Sequence, residues 1–136
     1  MNLHYNVMAD RFLEAGEASS SVKRQLKKLG INADIVRRVA IAMYEAEINM
    51  VIHANGGEID VEISPDKIHV ILKDTGPGIA DIDKAMEEGY PTADAKARQM
   101  GFGAGMGLPN MKKFSDDLKI TSQVGVGTTV EILIFI

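Results

Sequence analysis

Apolar and polar positions alternate with period two at the start of the chain, where Leu3, Tyr5 and Val7 are interleaved with His4 and Asn6. This predicts a half-buried strand at a sheet edge. The period then changes. Val22, Leu26 and Leu29 recur at helical spacing, with Lys23, Arg24, Lys27 and Lys28 on the other side, which predicts an amphipathic helix from about Ala18 to Leu29, ended by Gly30. A second helix is expected from a cap at Asn32 or Asp34. It runs through Ile35, Val39, Ala42, Met43, Ala46 and Met50 to a stop at Asn55-Gly56-Gly57.

Period two returns in Ile59, Val61 and Ile63 and again in Ile68, Val70 and Leu72, on either side of Ser64-Pro65-Asp66-Lys67, the pattern of a hairpin. Between Asp74 and Gly107 the pattern breaks into a glycine-rich connection with one short helical stretch near Ile82 to Glu88. A connection of that length inside a compact domain is usually functional. A last helix is expected over roughly Leu108 to Asp117. A closing hairpin then pairs Leu118 to Ser122 with Thr129 to Ile136 across Gly125-Val126-Gly127. Strands in hairpins, mixed with helices and lacking regular crossovers, predict an α+β fold: a two-layer α/β sandwich, its mostly antiparallel sheet covered on one face by helices.

At 136 residues the expectation is a single domain spanning 1–136. The chain has no cysteine, which removes disulfides, thiolate metal sites and thiol nucleophiles together. A net charge of −4 and the absence of Trp argue against a surface built for nucleic acid. No run of residues reaches the length of a membrane helix, so the expectation is a cytoplasmic protein without nucleic-acid or membrane partners.

Three segments carry candidate chemistry. Glu45, Asn49 and His53 stand four residues apart and share one stripe of an otherwise apolar helix. Glu and Asn oxygens are the hard donors that Mg²⁺ accepts, directly or through its waters. Asp74-Thr75-Gly76-Pro77-Gly78-Ile79 directly follows a strand. A carboxylate there can accept a hydrogen bond from the exocyclic amine of adenine, while glycines let the backbone approach a flat ring. Gly101-Phe102-Gly103-Ala104-Gly105-Met106-Gly107-Leu108 precedes a helix, so its N–H groups and the helix end can converge on phosphate. The string is neither a Walker A sequence nor a dinucleotide fingerprint. Taken singly, the three segments also read as a solvent-facing stripe, a turn and a linker.

In this order, however, they resemble the GHKL (histidine-kinase-like, Bergerat) ATPase superfamily, and within it the bacterial anti-sigma regulatory factors that are serine/threonine kinases. Glu45-Ala46-Glu47-Ile48-Asn49 is similar to the N box, Asp74-Thr75-Gly76-Pro77-Gly78 to the G1 box, Gly103-Ala104-Gly105-Met106-Gly107-Leu108 to the G2 lid, and Gly127-Thr128-Thr129 to the final motif. The run from Asp81 to Tyr90 resembles the stressosome switch-kinase branch.

The resemblance implies ATP and Mg²⁺ as cofactors. Asn49 would hold Mg²⁺, Asp74 would read adenine with support from Thr128, and Gly76, Gly78 and Ile79 would shape the base pocket. Gly103, Gly105, Gly107 and Leu108 would close over the phosphates in a lid of about 77–107, with His53 within reach of them. Glu45 would be the general base. Residues 92–100 are longer than the corresponding lid segment of the small kinases, which leaves Lys96 and Arg98 as alternative γ-phosphate cations, Arg98 being the candidate taken here. The partner implied is a STAS-type anti-anti-sigma antagonist, a sigma factor or a signalling enzyme, and a homodimer through a sheet edge is compatible with it. The alternative is a nucleotide-gated protein-binding switch without kinase activity. Histidine kinase catalytic domains share the same boxes but follow a helical region bearing a phosphorylated histidine, and His4 is the sole histidine before the second helix.

Overall fold

A computed structural model describes residues 1–8, 16–53, 56–76 and 107–136. Five strands and three helices occur among them. They are β1 (Asn2–Val7), α1 (Glu17–Lys28), α2 (Ala33–His53), β2 (Gly57–Ile63), β3 (Lys67–Asp74), α3 (Gly107–Phe114), β4 (Asp117–Gln123) and β5 (Gly127–Phe135). The strands form one sheet in the order β1-β2-β3-β5-β4, every neighbouring pair antiparallel. The opening strand lies at an edge, as its alternation predicts.

The alternation sets the two faces. Ile59, Val61, Ile68, Val70, Leu72, Ile132 and Ile134 are all but inaccessible to solvent and pack in one cluster with Val22 and Leu26 of α1, Val36, Val39, Ala42 and Met43 of α2, and Leu108 and Met111 of α3. Each such side chain contributes about 1.5–3 kcal/mol by leaving water. Their strand neighbours point the other way. Asp60 meets His4 across β1 and β2 at 2.6 Å, and His69 meets Glu131 across β3 and β5 at 3.4 Å. Helices therefore cover one face of an open antiparallel sheet, the α+β arrangement expected.

Local chemistry explains the boundaries. Asn32, rather than Asp34, caps α2, its Oδ1 accepting the Asp34 N–H at 2.9 Å. The β2–β3 turn closes through the Ser64 N–H to the Lys67 carbonyl at 2.9 Å. The last helix is shorter than its pattern predicts, ending at Phe114 instead of near Asp117. Ser115 Oγ donates to the Met111 carbonyl at 2.6 Å, while Asp116 turns away to accept from Arg38 of α2 at 2.9 Å and from the Phe135 N–H at 2.7 Å. Asp117 then already pairs with Leu133 as the first residue of β4. Tertiary bonds at Asp116 decide a boundary that local periodicity carries three residues too far. The expected helical stretch at Ile82 to Glu88 lies outside the described residues.

Candidate functional site

Asp74 ends β3, in the middle of the sheet, and its carboxylate is held by main chain. Oδ1 accepts the Gly76 N–H at 3.0 Å, a local Asx turn, and the Thr128 N–H of β5 at 3.0 Å. Oδ2 accepts no hydrogen bond from a described residue. The Thr128 hydroxyl is occupied elsewhere: it shares a 2.8 Å hydrogen bond with Ser122 Oγ of β4, and Ser122 also donates to the Gly127 carbonyl at 3.2 Å. Thr128 is buried, so this pairing removes the cost of an unsatisfied hydroxyl.

Two glycines let neighbouring strands crowd around Asp74. A Cβ on Gly57, which pairs with Asp74, would stand 2.1 Å from the Lys73 carbonyl oxygen, 2.5 Å from Met50 Cε and 2.9 Å from Asp74 Cα. A Cβ on Gly127, whose φ is +151°, would stand 2.2 Å from the Asp74 carbonyl oxygen. Only glycine fits either place. Because Met50 reaches Gly57, the C-terminal half of α2 passes over this strand end, and Asn49 is the residue just before it.

Glu45 and Asn49 are both half-buried on α2. The Asn110 amide of α3 approaches Glu45 Oε1 at 3.4 Å, a long hydrogen bond that ties the polar stripe to the helix following the glycine-rich segment. Leu108, near the start of α3, is buried in the core. Gly107 is the first residue of α3, and Gly76 is buried beside Asp74. His53 is the last residue of α2. Gly78, Ile79, Lys96, Arg98, Gly103 and Gly105 lie outside the described residues. The structure thus brings Asp74 together with Gly76 and Thr128, and joins Glu45 to Asn110 of α3.

Sequence reasoning did not single out Asn110 and Ser122, which bond to Glu45 and Thr128, nor Tyr44 and Glu47, which lie on the other side of α2. Burial, with the negative charges of Glu45 and Glu47, raises the Tyr44 phenol above its usual range. Glu47 is buried among α2 residues and bonded to the start of α1. A carboxylate on the apolar side of the helix was its sequence signal. A cavity of about 640 Å³ between β1, α1 and α2, lined by Tyr5, Asn6, Arg24, Tyr44, Glu47 and Val51, is separate from Asp74. It sits on the Glu47 side of α2, away from the Glu45 and Asn49 stripe.

Comparison with known proteins bears on the fold and the family. The chain is 33% identical over 109 residues to the serine/threonine-protein kinase RsbT of Bacillus subtilis, covering 77% of this chain and 76% of that protein. It is 30% identical over 140 residues to an anti-sigma F factor of Thermoanaerobacter, covering 96% and 94%. Among solved structures, a chain from the SiaB-SiaC complex of Pseudomonas aeruginosa matches with a TM-score of 0.62 at 14% identity, covering 97% of this chain and 88% of that one. The mycobacterial sensor histidine kinase MprB matches with a TM-score of 0.57 at 16% identity, covering 99% and 97%. These two likenesses concern the fold. The family model for the histidine kinase-like ATPase domain matches residues 12–134, and the chain therefore belongs to that family.

Proposed function

We propose that the protein is an ATP-dependent serine/threonine protein kinase that phosphorylates a STAS-type antagonist protein and thereby governs a sigma factor or signalling enzyme. The observation that carries this reading is Asp74. Its Oδ1 is fixed by two main-chain N–H groups, and Oδ2 has no described donor, so one oxygen stays available to accept the exocyclic amine of adenine. Glycines on both sides keep side chains clear of the backbone there. The residues present therefore suit an adenine nucleotide.

Asn49 offers one hard oxygen to Mg²⁺, an ion that takes most of its ligands from water and phosphate. Bound Mg-ATP would supply the phosphoryl group and the divalent charge that offsets it. Glu45, one helical turn before Asn49, is the general base for the attacking hydroxyl, its carboxylate steered by Asn110. On this reading, residues 77–107 would be the lid of one catalytic domain over 1–136. Arg98, Gly103 and Gly105 in that lid, with His53, would hold the phosphates, and Gly78 and Ile79 would line the base pocket. The activities of its relatives, a serine/threonine-protein kinase and an anti-sigma F factor by name, support both the activity and the class of partner. The fold likeness to a chain solved in a protein complex supports a protein partner.

The test is a capture of partners from the source organism with and without ATP, followed by incubation of the purified pair with radiolabelled Mg-ATP. Label is expected on a serine or threonine of the partner, and Glu45→Gln is expected to lose it while still binding nucleotide. Equal labelling by the variant refutes the catalytic assignment. Nucleotide-dependent capture without any label would leave the non-catalytic switch instead.

A further inference from the structure

Glu47 is the only charged side chain among the described residues that is fully buried, at 3% exposure. Its two oxygens accept three main-chain N–H groups at the start of α1, one from the residue before the helix and two from its first turn. Oε2 takes those of Gly16 at 3.0 Å and Ala18 at 3.2 Å, and Oε1 takes that of Ser19 at 3.0 Å. A helix start is ordinarily capped by its own Ser, Thr, Asp or Asn. Here Gly16 occupies the cap position with no side-chain bond of its own, and the cap comes from α2, about thirty residues away along the chain. The seat is close: a Cβ on Gly16 would stand 2.9 Å from the Tyr44 ring.

The direction of Glu47 on its helix gives this cap a second meaning. At about 100° per residue, Glu45 and Asn49 lie about 40° apart, and Glu47 lies about 180° from their midpoint. The carboxylate bonded to α1 is thus on the back of the stripe that carries the general base and the magnesium ligand. We infer that Glu47 is a positioning residue for the nucleotide site: by fastening the back of α2 to the start of α1, it sets the roll of α2 about its axis. The aim of Glu45 and Asn49 follows from that roll.

The lever is sensitive. At a side-chain radius of about 5–6 Å, a roll of about 10° moves a tip by about 1 Å. A displacement of that size can cost about a hundredfold in a reaction that depends on positioning. This inference rests on the nucleotide reading above for its functional consequence, but the mechanical coupling can be measured without nucleotide.

The experiment compares Glu47→Gln with Ser21→Ala. The first keeps the side-chain volume but sets an amide against three N–H donors. The second removes the 2.9 Å Tyr5 hydroxyl to Ser21 Oγ bond, a tether of α1 to β1 that does not involve α2. Both are expected to lower the melting temperature. Only Glu47→Gln is expected to weaken Mg-ATP binding, measured by calorimetry well below the melt, by about tenfold or more. Ser21→Ala should stay within about twofold of wild type. If Glu47→Gln does not fold, Glu47→Asp keeps the charge on a shorter arm and is expected to show the same loss.

Hydrogen–deuterium exchange of the nucleotide-free proteins reads the coupling directly. Exchange in Gly107–Phe114, which meets α2 at Glu45 and Asn110, should accelerate in the Glu47 variant and not in Ser21→Ala. Unchanged exchange there, wild-type affinity in the Glu47 variants, or an equal loss in Ser21→Ala overturns the inference. If wild type itself fails to bind Mg-ATP, the proposed function falls, and exchange alone decides the role of Glu47.

Discussion

Replacing Asp74 with Asn keeps the shape of the side chain and removes its charge, so the outcome can be worked from the bonds at its two oxygens. The amide has two orientations. With its oxygen at the Oδ1 place, it keeps the Gly76 and Thr128 N–H bonds, each 3.0 Å in the native protein, and turns its NH₂ toward the position proposed for the adenine amine. A charge-assisted acceptor worth about 1.5–3 kcal/mol is then exchanged for a donor facing a donor. Reversed, the amide presents oxygen to the base but sets NH₂ against two N–H groups. Leaving both unsatisfied costs about 2–6 kcal/mol of stability. The first orientation is the cheaper, so the fold should survive and the ligand should pay the loss. At about 1.4 kcal/mol per factor of ten, Mg-ATP affinity falls roughly tenfold to a hundredfold, more if the donors clash. The assay is calorimetric titration with Mg-ATP beside a thermal melt of the same sample. An unchanged melt with weakened binding is the expected pair. Wild-type affinity in Asp74→Asn refutes the assignment of adenine to this carboxylate, and a collapsed melt refutes the argument about orientation.

Other changes address the supports of the site. Gly127→Ala places a methyl group 2.2 Å from the Asp74 carbonyl oxygen at a φ of +151°, and should cost about 2–6 kcal/mol, seen as a fall in the urea midpoint. Asn110→Ala removes a long bond to Glu45, so phosphotransfer should slow by roughly twofold to tenfold with nucleotide affinity kept; an unaltered rate would remove Asn110 from the site. The Phe135 N–H and then Arg38 hold the Asp116 carboxyl below its ordinary value of 3.8. Its contribution is therefore present above that ordinary value and is lost as pH falls through the lower folded value. Urea midpoints should drop more steeply below about pH 4 in wild type than in Asp116→Asn, and parallel curves would contradict this.

Much of the fold was legible because strand faces and helix stripes are local patterns. Ile59, Val61 and Ile63 against Ile68, Val70 and Leu72 announce both the hairpin and its buried side. The end of α3 was not legible, because Asp116 is claimed by Arg38, far away in the chain, and by the Phe135 main chain. Near the proposed site, the place of Asp74 at a strand end and of Glu45 and Asn49 on one helix could be read from residue type and spacing. The manner of the Thr128 support could not: its main chain reaches Asp74, and its hydroxyl goes to Ser122. Glu47 escaped for a related reason. Its partners are backbone N–H groups at the start of another helix, and main-chain donors leave no trace in a pattern of side chains.

The same property limits what a conventional mutational survey would find around Asp74. Both clamps on its Oδ1 come from peptide nitrogens, so truncating the Thr128 side chain leaves the N–H in place, and Gly76 has no side chain to truncate. Systematic alanine replacement would report the lost Thr128 hydroxyl, which pairs with Ser122, or a methyl group added at buried Gly76, and would leave both clamps untouched. Proline at 128, or an ester in place of the amide installed by chemical ligation, deletes the donor itself, and those are the substitutions able to reveal how the acid is held.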